Sequence, residues 1–536
     1  MAGLNITETS DFTGGLNFRA DQFQLSTFES PDMLNVEIDP RGGVFSRGGY
    51  RQLNTTAVSG TWNPQRLYPF SGATPTVLLT NGTKVYKSSG GNFTTLQASA
   101  GVDITSPSSH GACMAQWADS MYIVCGSAGN GGYVWKTTDT YAFALTASGT
   151  APHAWQTTPT ASERKMPTAE HVIVHANKMW AANTTEDSVY HPNRLRWSLE
   201  NAPENWAAND YFDIVGGGNG ITGMAVVSGQ LVVFKPNAVY VIFGYASDNF
   251  QVVELTNRLG CLNHHALAQA DDGVYWFSHN QGLYFYNGAA IKDMFDNLRT
   301  AIDLNHINPA DHESITVSWV GRRVWISAPY SKDTTVTVPT VNFILDPTIR
   351  GGVYTMFTSH DNYGLVSGCN WTDSNETDYR LMCHPTQAYV LKVDMFNEET
   401  DNVSGTNVAF ESYYKTRWFD GGSYMQKKMF RRPDFVVKEA DIAQSITVKV
   451  YHDFNEGEGN EKKIFDISQS PPTTALLWGS GLWGEDWSSG AVSSKVISGR
   501  NLGLARSIQL EFIGPFQQKW GINSIGYKYQ ARRIKG

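Results

Sequence analysis

From about residue 64 to residue 394 the chain restates one pattern of apolar and polar positions roughly every 40 residues. Each copy is a short apolar strand, a tight polar or glycine turn, and a second strand carrying an aromatic side chain. Thr76-Val-Leu-Leu-Thr-Asn-Gly-Thr-Lys-Val-Tyr86 shows it clearly, and further copies cover residues 114–124, 172–182, 224–234, 266–277 and 315–326. A weaker seventh copy starts at Leu365, passes through Tyr379-Arg-Leu-Met382 and ends at Ala388-Tyr-Val-Leu391. The turns predict two-residue connections with positive φ at Asn81-Gly82, Ser228-Gly229, Asp272-Gly273 and Val320-Gly321. Between the fourth and fifth copies, residues 237–243 and 250–255 supply two outer strands, so a unit reaches the four strands of a propeller blade. Radial repetition protects the edges that many short hairpins would expose. The pattern therefore predicts an all-β chain built on a β-propeller of six to eight blades.

The flanks read differently. Residues 1–50 are polar and glycine-rich, and bury too little to offset their own chain entropy. They are expected as an N-terminal arm or as extended strands laid along something else. Past about residue 406 the repeat stops, and alternation in Ile446-Thr-Val-Lys-Val450 and Ile508-Gln-Leu-Glu-Phe512 predicts strands with one buried face. That gives a C-terminal β-sandwich-like domain. The predicted units are residues 1–50, 51–405 and 406–536. Helical signals are scarce, with residues 289–304 as the best candidate for one short surface helix.

Composition narrows the function classes. With 536 residues the chain exceeds a single ordinary core. Its formal net charge is -9, and the only basic concentration is Lys427-Lys428 with Arg431-Arg432. A nucleic-acid binder working by charge neutralisation needs a basic face, so that class is not expected. Cys113, Cys125, Cys261, Cys369 and Cys383 show no metal-like spacing, and their strand context predicts buried free thiols. No charged-then-apolar leader and no bilayer-length apolar run is present, so folding in a reducing cytoplasm without a membrane segment is expected.

The chemistry-bearing motifs are weak. His264-His265 and His312-Glu313 are neighbours, and on a strand adjacent side chains point to opposite faces, so neither pair chelates as a unit. Gly216-Gly-Gly-Asn-Gly220 precedes a strand-like segment, whereas a phosphate cradle needs a helix N-terminus. Asp271, Asp272, Asp346 and Glu254 are the carboxylates available for glycoside chemistry, but each lies at a turn or strand end. No catalytic, cofactor-binding or metal-ligating residue is assigned, and no enzyme is expected. Trp478, Trp483 and Trp487 crowd one polar loop, and three indoles are costly to leave wet, so they are candidates for a protein interface. Lys427, Lys428, Arg431 and Arg432 are the other interface candidates, expected to face protein.

Several phrases resemble one family. Asp11-Phe-Thr-Gly-Gly15, Ser30-Pro-Asp-Met-Leu-Asn-Val36 and Arg47-Gly-Gly-Tyr50 are similar to the N-terminal signature of the tail nozzle (tail tubular) and tail-hub proteins of short-tailed bacteriophages. Residues 193–206, Phe234-Lys-Pro-Asn-Ala-Val-Tyr240, Lys415-Thr-Arg-Trp-Phe-Asp420, Lys428-Met-Phe-Arg-Arg432 and Gly521-Ile-Asn-Ser-Ile-Gly-Tyr527 resemble later phrases of that family. The resemblance implies a virion structural protein, assembled in the bacterial host cytoplasm as a ring, commonly a hexamer. Implied partners are other copies of the chain, portal-adaptor proteins, and tail fibres or spikes. Double-stranded DNA would pass during genome ejection without specific binding, and no cofactor is implied. The competing expectation is a carbohydrate-binding or glycan-cleaving propeller of a receptor-binding apparatus.

Overall fold

Each repeat hairpin forms, and further strands extend it outward into an antiparallel sheet. The computed structural model describes residues 4–21, 23–107, 111–126, 132–145, 163–164, 166–186, 189–207, 209–279, 281–395, 398–438, 444–469, 494–515 and 518–532. Among these, six four-stranded sheets follow one another. They start at Pro64–Phe70, Cys113–Trp117, Thr168–His175, Gly223–Val227, Leu267–Gln269 and Thr316–Val320. A seventh sheet holds Val366–Thr372, Asp378–Cys383 and Val390–Met395. The strand Gly49–Gln52, from across the expected arm boundary, pairs onto it, with Asp401–Asn402 and Asn407–Val408 beyond.

Alternating side chains give each sheet an apolar face toward the sheet before it and another toward the sheet after. Leu78 and Val85 pack with Met114 and Met121, and Tyr122 and Val124 with Val172 and Met179. Trp180 and Leu195 pack with Met224 and Leu231, and Val320 and Trp325 with Met382 and Leu391. Leu67 and Leu79 pack with Val366 and Leu381, which joins the last sheet to the first. The molecule is nearly all β and propeller-like.

Turn geometry follows the expected chemistry with shifts of register. Ser228 and Gly229 both have positive φ, 50° and 75°. The sixth sheet turns at Gly321-Arg322, one residue later than expected, because Val320 still pairs with Arg323. Asn81 likewise stays in its strand opposite Lys84, its side chain accepting the Asn63 N–H, so the turn is Gly82-Thr83. At Asp272-Gly273 the connection is longer, since Gln269 pairs with Val274. The expected helix over 289–304 is corrected: Ile291–Asp293 is an outer strand, Asp296–Leu298 a 3-10 turn, and only Thr300–Asp303 is α-helical. Ala301 and Ile302 face inward there while Asp303 is exposed, so this single turn lies at the surface with one face buried. No helix among the described residues is long and apolar enough to cross a membrane.

The C-terminal part forms two sheets. One orders Ser494–Ser498, Asp434–Lys438, Gly521–Ala531, Lys428–Phe430 and Gly503–Ala505. The other orders Met33–Leu34, Tyr413–Lys415, Ile508–Ile513, Gln444–His452 and Lys463–Gln469. Phe435 from the first meets Phe465 and Phe512 from the second inside a shared core. The arm is stitched into both sheets. Asn5–Thr9 and Val44–Ser46 pair with Gly521–Ala531, and Met33–Leu34 pairs with Tyr413–Lys415.

Candidate functional site

The arm meets the repeat sheets and the C-terminal sheets at Arg47. Its guanidinium is 1% exposed and lies between the rings of Tyr50 and Phe410, 3.9 and 3.7 Å from their centroids. Nε donates to Asn35 Oδ1 (2.8 Å), Nη1 to the Gly48 carbonyl (2.8 Å) and Asp401 Oδ1 (2.9 Å), and Nη2 to the Thr358 carbonyl (2.9 Å) and Asp401 Oδ2 (2.7 Å). Every guanidinium N–H is used. Asp401 also accepts the backbone N–H groups of Tyr50 (3.0 Å) and His360 (2.9 Å). Burial opposes the Arg47 charge, but Asp401 beside it holds the pKa above the ordinary value. Asn35 extends the knot, donating to the Glu411 carbonyl (2.7 Å). Nearby, Asp11 pairs with Arg350, and the Ser30 hydroxyl donates to the Lys415 carbonyl (2.7 Å).

The predicted basic cluster divides. Lys427, Arg431 and Arg432 are exposed, whereas Lys428 is buried. Lys428 begins a central strand whose alternation turns Lys428 and Phe430 inward. Its Nζ donates to the carbonyls of Ser423, Gln426 (2.9 Å) and Arg506 (3.4 Å). Burial lowers its pKa, with Asp420 opposing. The four cations therefore do not make one surface, and Lys428 serves its own chain. Trp478, Trp483 and Trp487 lie outside the described residues, in the segment between two edge strands, Lys463–Gln469 and Ser494–Ser498.

From the second repeat sheet round to the first, the first strands touch from sheet to sheet, and they surround an axis with two recesses. One, of about 280 Å³, is lined by residues including Arg66, Tyr68, Gln269, Ser318 and Asn370. The other, of about 270 Å³, includes Asn63, Glu313 and Thr337. Gln65, His265 and Thr316 belong to both. None of Asp271, Asp272, Asp346 and Glu254 lines either recess. Asp272 accepts from the Tyr275 hydroxyl (3.4 Å), Glu254 from the Tyr240 hydroxyl (3.5 Å), and Asp346 caps Thr348 N–H (2.9 Å), so each serves local structure. The glycine-rich loop at Gly216 leads into the strand Gly223–Val227, without a helix to cradle phosphate.

The histidine expectation needs correction. His264–Ala266 is a 3-10 turn capped by Asn263, not a strand. His264 is grouped with His171 and Cys113 rather than with its sequence neighbour, the three donor atoms lying within 4.8 Å of one another. Arg66 Nη1 lies 2.9 Å from His264 Nε2 and donates to its carbonyl at 2.9 Å, and Tyr68 Oη is 3.2 Å from the same Nε2. No spacing in the sequence signals this group, because each member comes from a different repeat and only the circular arrangement unites them. All five cysteines are buried and free, as their strand context predicts, and burial pushes the Cys369 thiol up to about 12.

No protein-family model matches the chain, and no curated protein matches it. Among solved structures, it is similar to the extracellular domain of a one-component system from B. thetaiotaomicron, at 10% identity and a TM-score of 0.35 over 70% of this chain and 43% of that one. It is also similar to BBS1N solved in complex with ARL6DN, at 10% identity and a TM-score of 0.40 over 65% of this chain and 98% of that one. YCF48 from Cyanidioschyzon merolae matches at 10% identity and a TM-score of 0.36, over 65% of this chain and 99% of that one.

Proposed function

We propose that the chain is a structural subunit of a short-tailed phage tail: a seven-bladed propeller with a C-terminal sandwich, one of several copies in the nozzle ring around the DNA exit path. The observation that carries this reading is where the nozzle-like N-terminal phrases fall. Asp11, Ser30, Asn35 and Arg47 are the residues that tie the arm to the sixth and seventh repeat sheets and to the C-terminal strands. Such a knot makes one rigid block from three parts, which a pressure-bearing ring requires. The axial recesses fit the same reading. Recesses of about 280 and 270 Å³ leave no room for a DNA duplex, so a DNA path would run between subunits and not through a propeller. Lys427, Arg431, Arg432 and the three tryptophans are then candidates for contacts between copies or with the adaptor.

Native mass spectrometry and negative-stain microscopy of the purified protein test this reading. A closed ring, alone or on addition of the adaptor, is expected. A monomer that refuses the adaptor and binds glycans would transfer the reading to the carbohydrate class.

A further inference from the structure

We infer that the larger axial recess is a binding site for the carboxylate of a small organic acid, with Arg66 as the group that grips it. The recess holds about 280 Å³, close to the roughly 300 Å³ at which small-ligand sites begin. Its walls come from the first, fifth, sixth and seventh sheets, so only the closed circle of sheets creates it.

Charge points to an anion. Arg66 is the one residue of the lining with a permanent charge, and no aspartate or glutamate joins it there. Its side chain is half-buried, and among the described residues its partners are His264 and Tyr68, neither of them a carboxylate. A cation drawn partly out of water without a countercharge is costly, and an anion in the recess relieves that cost.

Geometry narrows the anion to a carboxylate. Arg66 reaches from the first sheet to the turn that enters the fifth, where Nη1 donates to His264 Nε2 and to the His264 carbonyl, each at 2.9 Å. Those bonds fix the plane of the guanidinium and occupy Nη1. Nε and Nη2 have no partner among the described residues. Their parallel N–H bonds form the fork that a planar carboxylate meets with both oxygens.

The neutral polar groups are biased the same way. Gln269 Oε1 accepts the Val226 N–H (3.3 Å), Ser318 Oγ the Gly368 N–H (2.8 Å) and Asn370 Oδ1 the Gly321 N–H (2.9 Å). These side-chain acceptors are taken, whereas the Gln269 amide N–H groups and the Ser318 hydroxyl proton have no acceptor among the described residues. A recess with occupied acceptors and idle donors suits an anion. Pro69 and Trp319 are the apolar lining side chains that are not buried, and they offer an apolar surface to the body of the ligand. An aromatic acid therefore fits better than inorganic phosphate. One protomer contains the whole site, so the inference does not depend on the ring.

The test titrates the full-length protein with benzoate by calorimetry, with benzamide as the neutral control. Benzoate should bind saturably at a single site per chain, about tenfold or more tighter than benzamide, as expected for charge-assisted hydrogen bonds. Arg66→Gln should reduce benzoate to the level of benzamide. Gln269→Glu keeps an oxygen for the Val226 N–H but replaces the idle donor with a like charge. It should weaken benzoate binding by about tenfold or more with the melting temperature unchanged. Arg431→Gln, an exposed cation of the C-terminal part, should leave binding unchanged. Benzoate that fails to saturate the unaltered protein, or binds it no better than benzamide, overturns the inference. Undiminished binding in Gln269→Glu overturns it as well, even where Arg66→Gln fails to fold.

Discussion

Arg47 shows how much a single side chain carries. Removing it leaves Asp401 buried without its countercharge and empties a slot between two rings. Arg47→Ala should destabilise the protein by about 3–5 kcal/mol, read from denaturant unfolding. Arg47→Lys should recover little, since an ammonium cannot reproduce the planar fork. Asp361 gives a second expectation. Burial works against its charge, but hydrogen bonds from His384 and Ser359, with the charges of His384 and His360, outweigh it and hold the pKa well below the ordinary range. A carboxyl depressed on folding stabilises fully above its unfolded pKa of about 4 and loses that contribution as pH falls through the native value. Asp361→Asn should therefore flatten the fall in urea midpoint below about pH 4. The sequence marks Arg47 as part of a phrase, but not its partner, because Asp401 lies 354 positions away.

At the scale of elements, the hairpins were legible because alternation and turn residues agree locally. The hairpins expected over 76–86, 114–124 and 224–234 form there, the first running on to Ser89. What was not legible is register, which depends on cross-strand partners, and the helix over 289–304, where a strand and a helical turn share one apolar run. Lys428 escaped for a related reason: a run of cations looks uniform until a strand turns alternate residues inward. One turn of an expected hairpin is marked by an asparagine alone. Ala176 and Asn177, both at positive φ (50° and 54°), connect His175 to Lys178 without a glycine. Ala is strained there by roughly 1–2 kcal/mol. Ala176→Asn with Asn177→Gly should stabilise the protein, raising its melting temperature by a few degrees in a thermal scan.

For the whole molecule, the arm is part of the core. Phe12, Leu16 and Leu25 are buried, and Asn5–Thr9 covers one edge of Gly521–Ala531. Deleting residues 1–30 should lower protomer stability by about 5 kcal/mol or more, since each buried apolar side chain contributes roughly 1.5–3 kcal/mol. Calorimetry of the truncated chain beside the full one measures it, and unchanged melting would show that the arm adds nothing to the fold.

The strand Gly49–Gln52 has a consequence in time. It closes the seventh sheet against Val390–Met395, so an early piece of the chain waits for a partner made some 340 residues later. At 5–20 residues per second of synthesis, that wait is roughly twenty to seventy seconds. Throughout it the strand has no native edge to join, while neighbouring ribosomes on the same message present identical strands and, soon after, identical acceptors. The closure that makes the finished ring of sheets rigid thus creates a window in which two nascent chains can trade strands, and the rate of translation becomes a determinant of how many copies close on themselves.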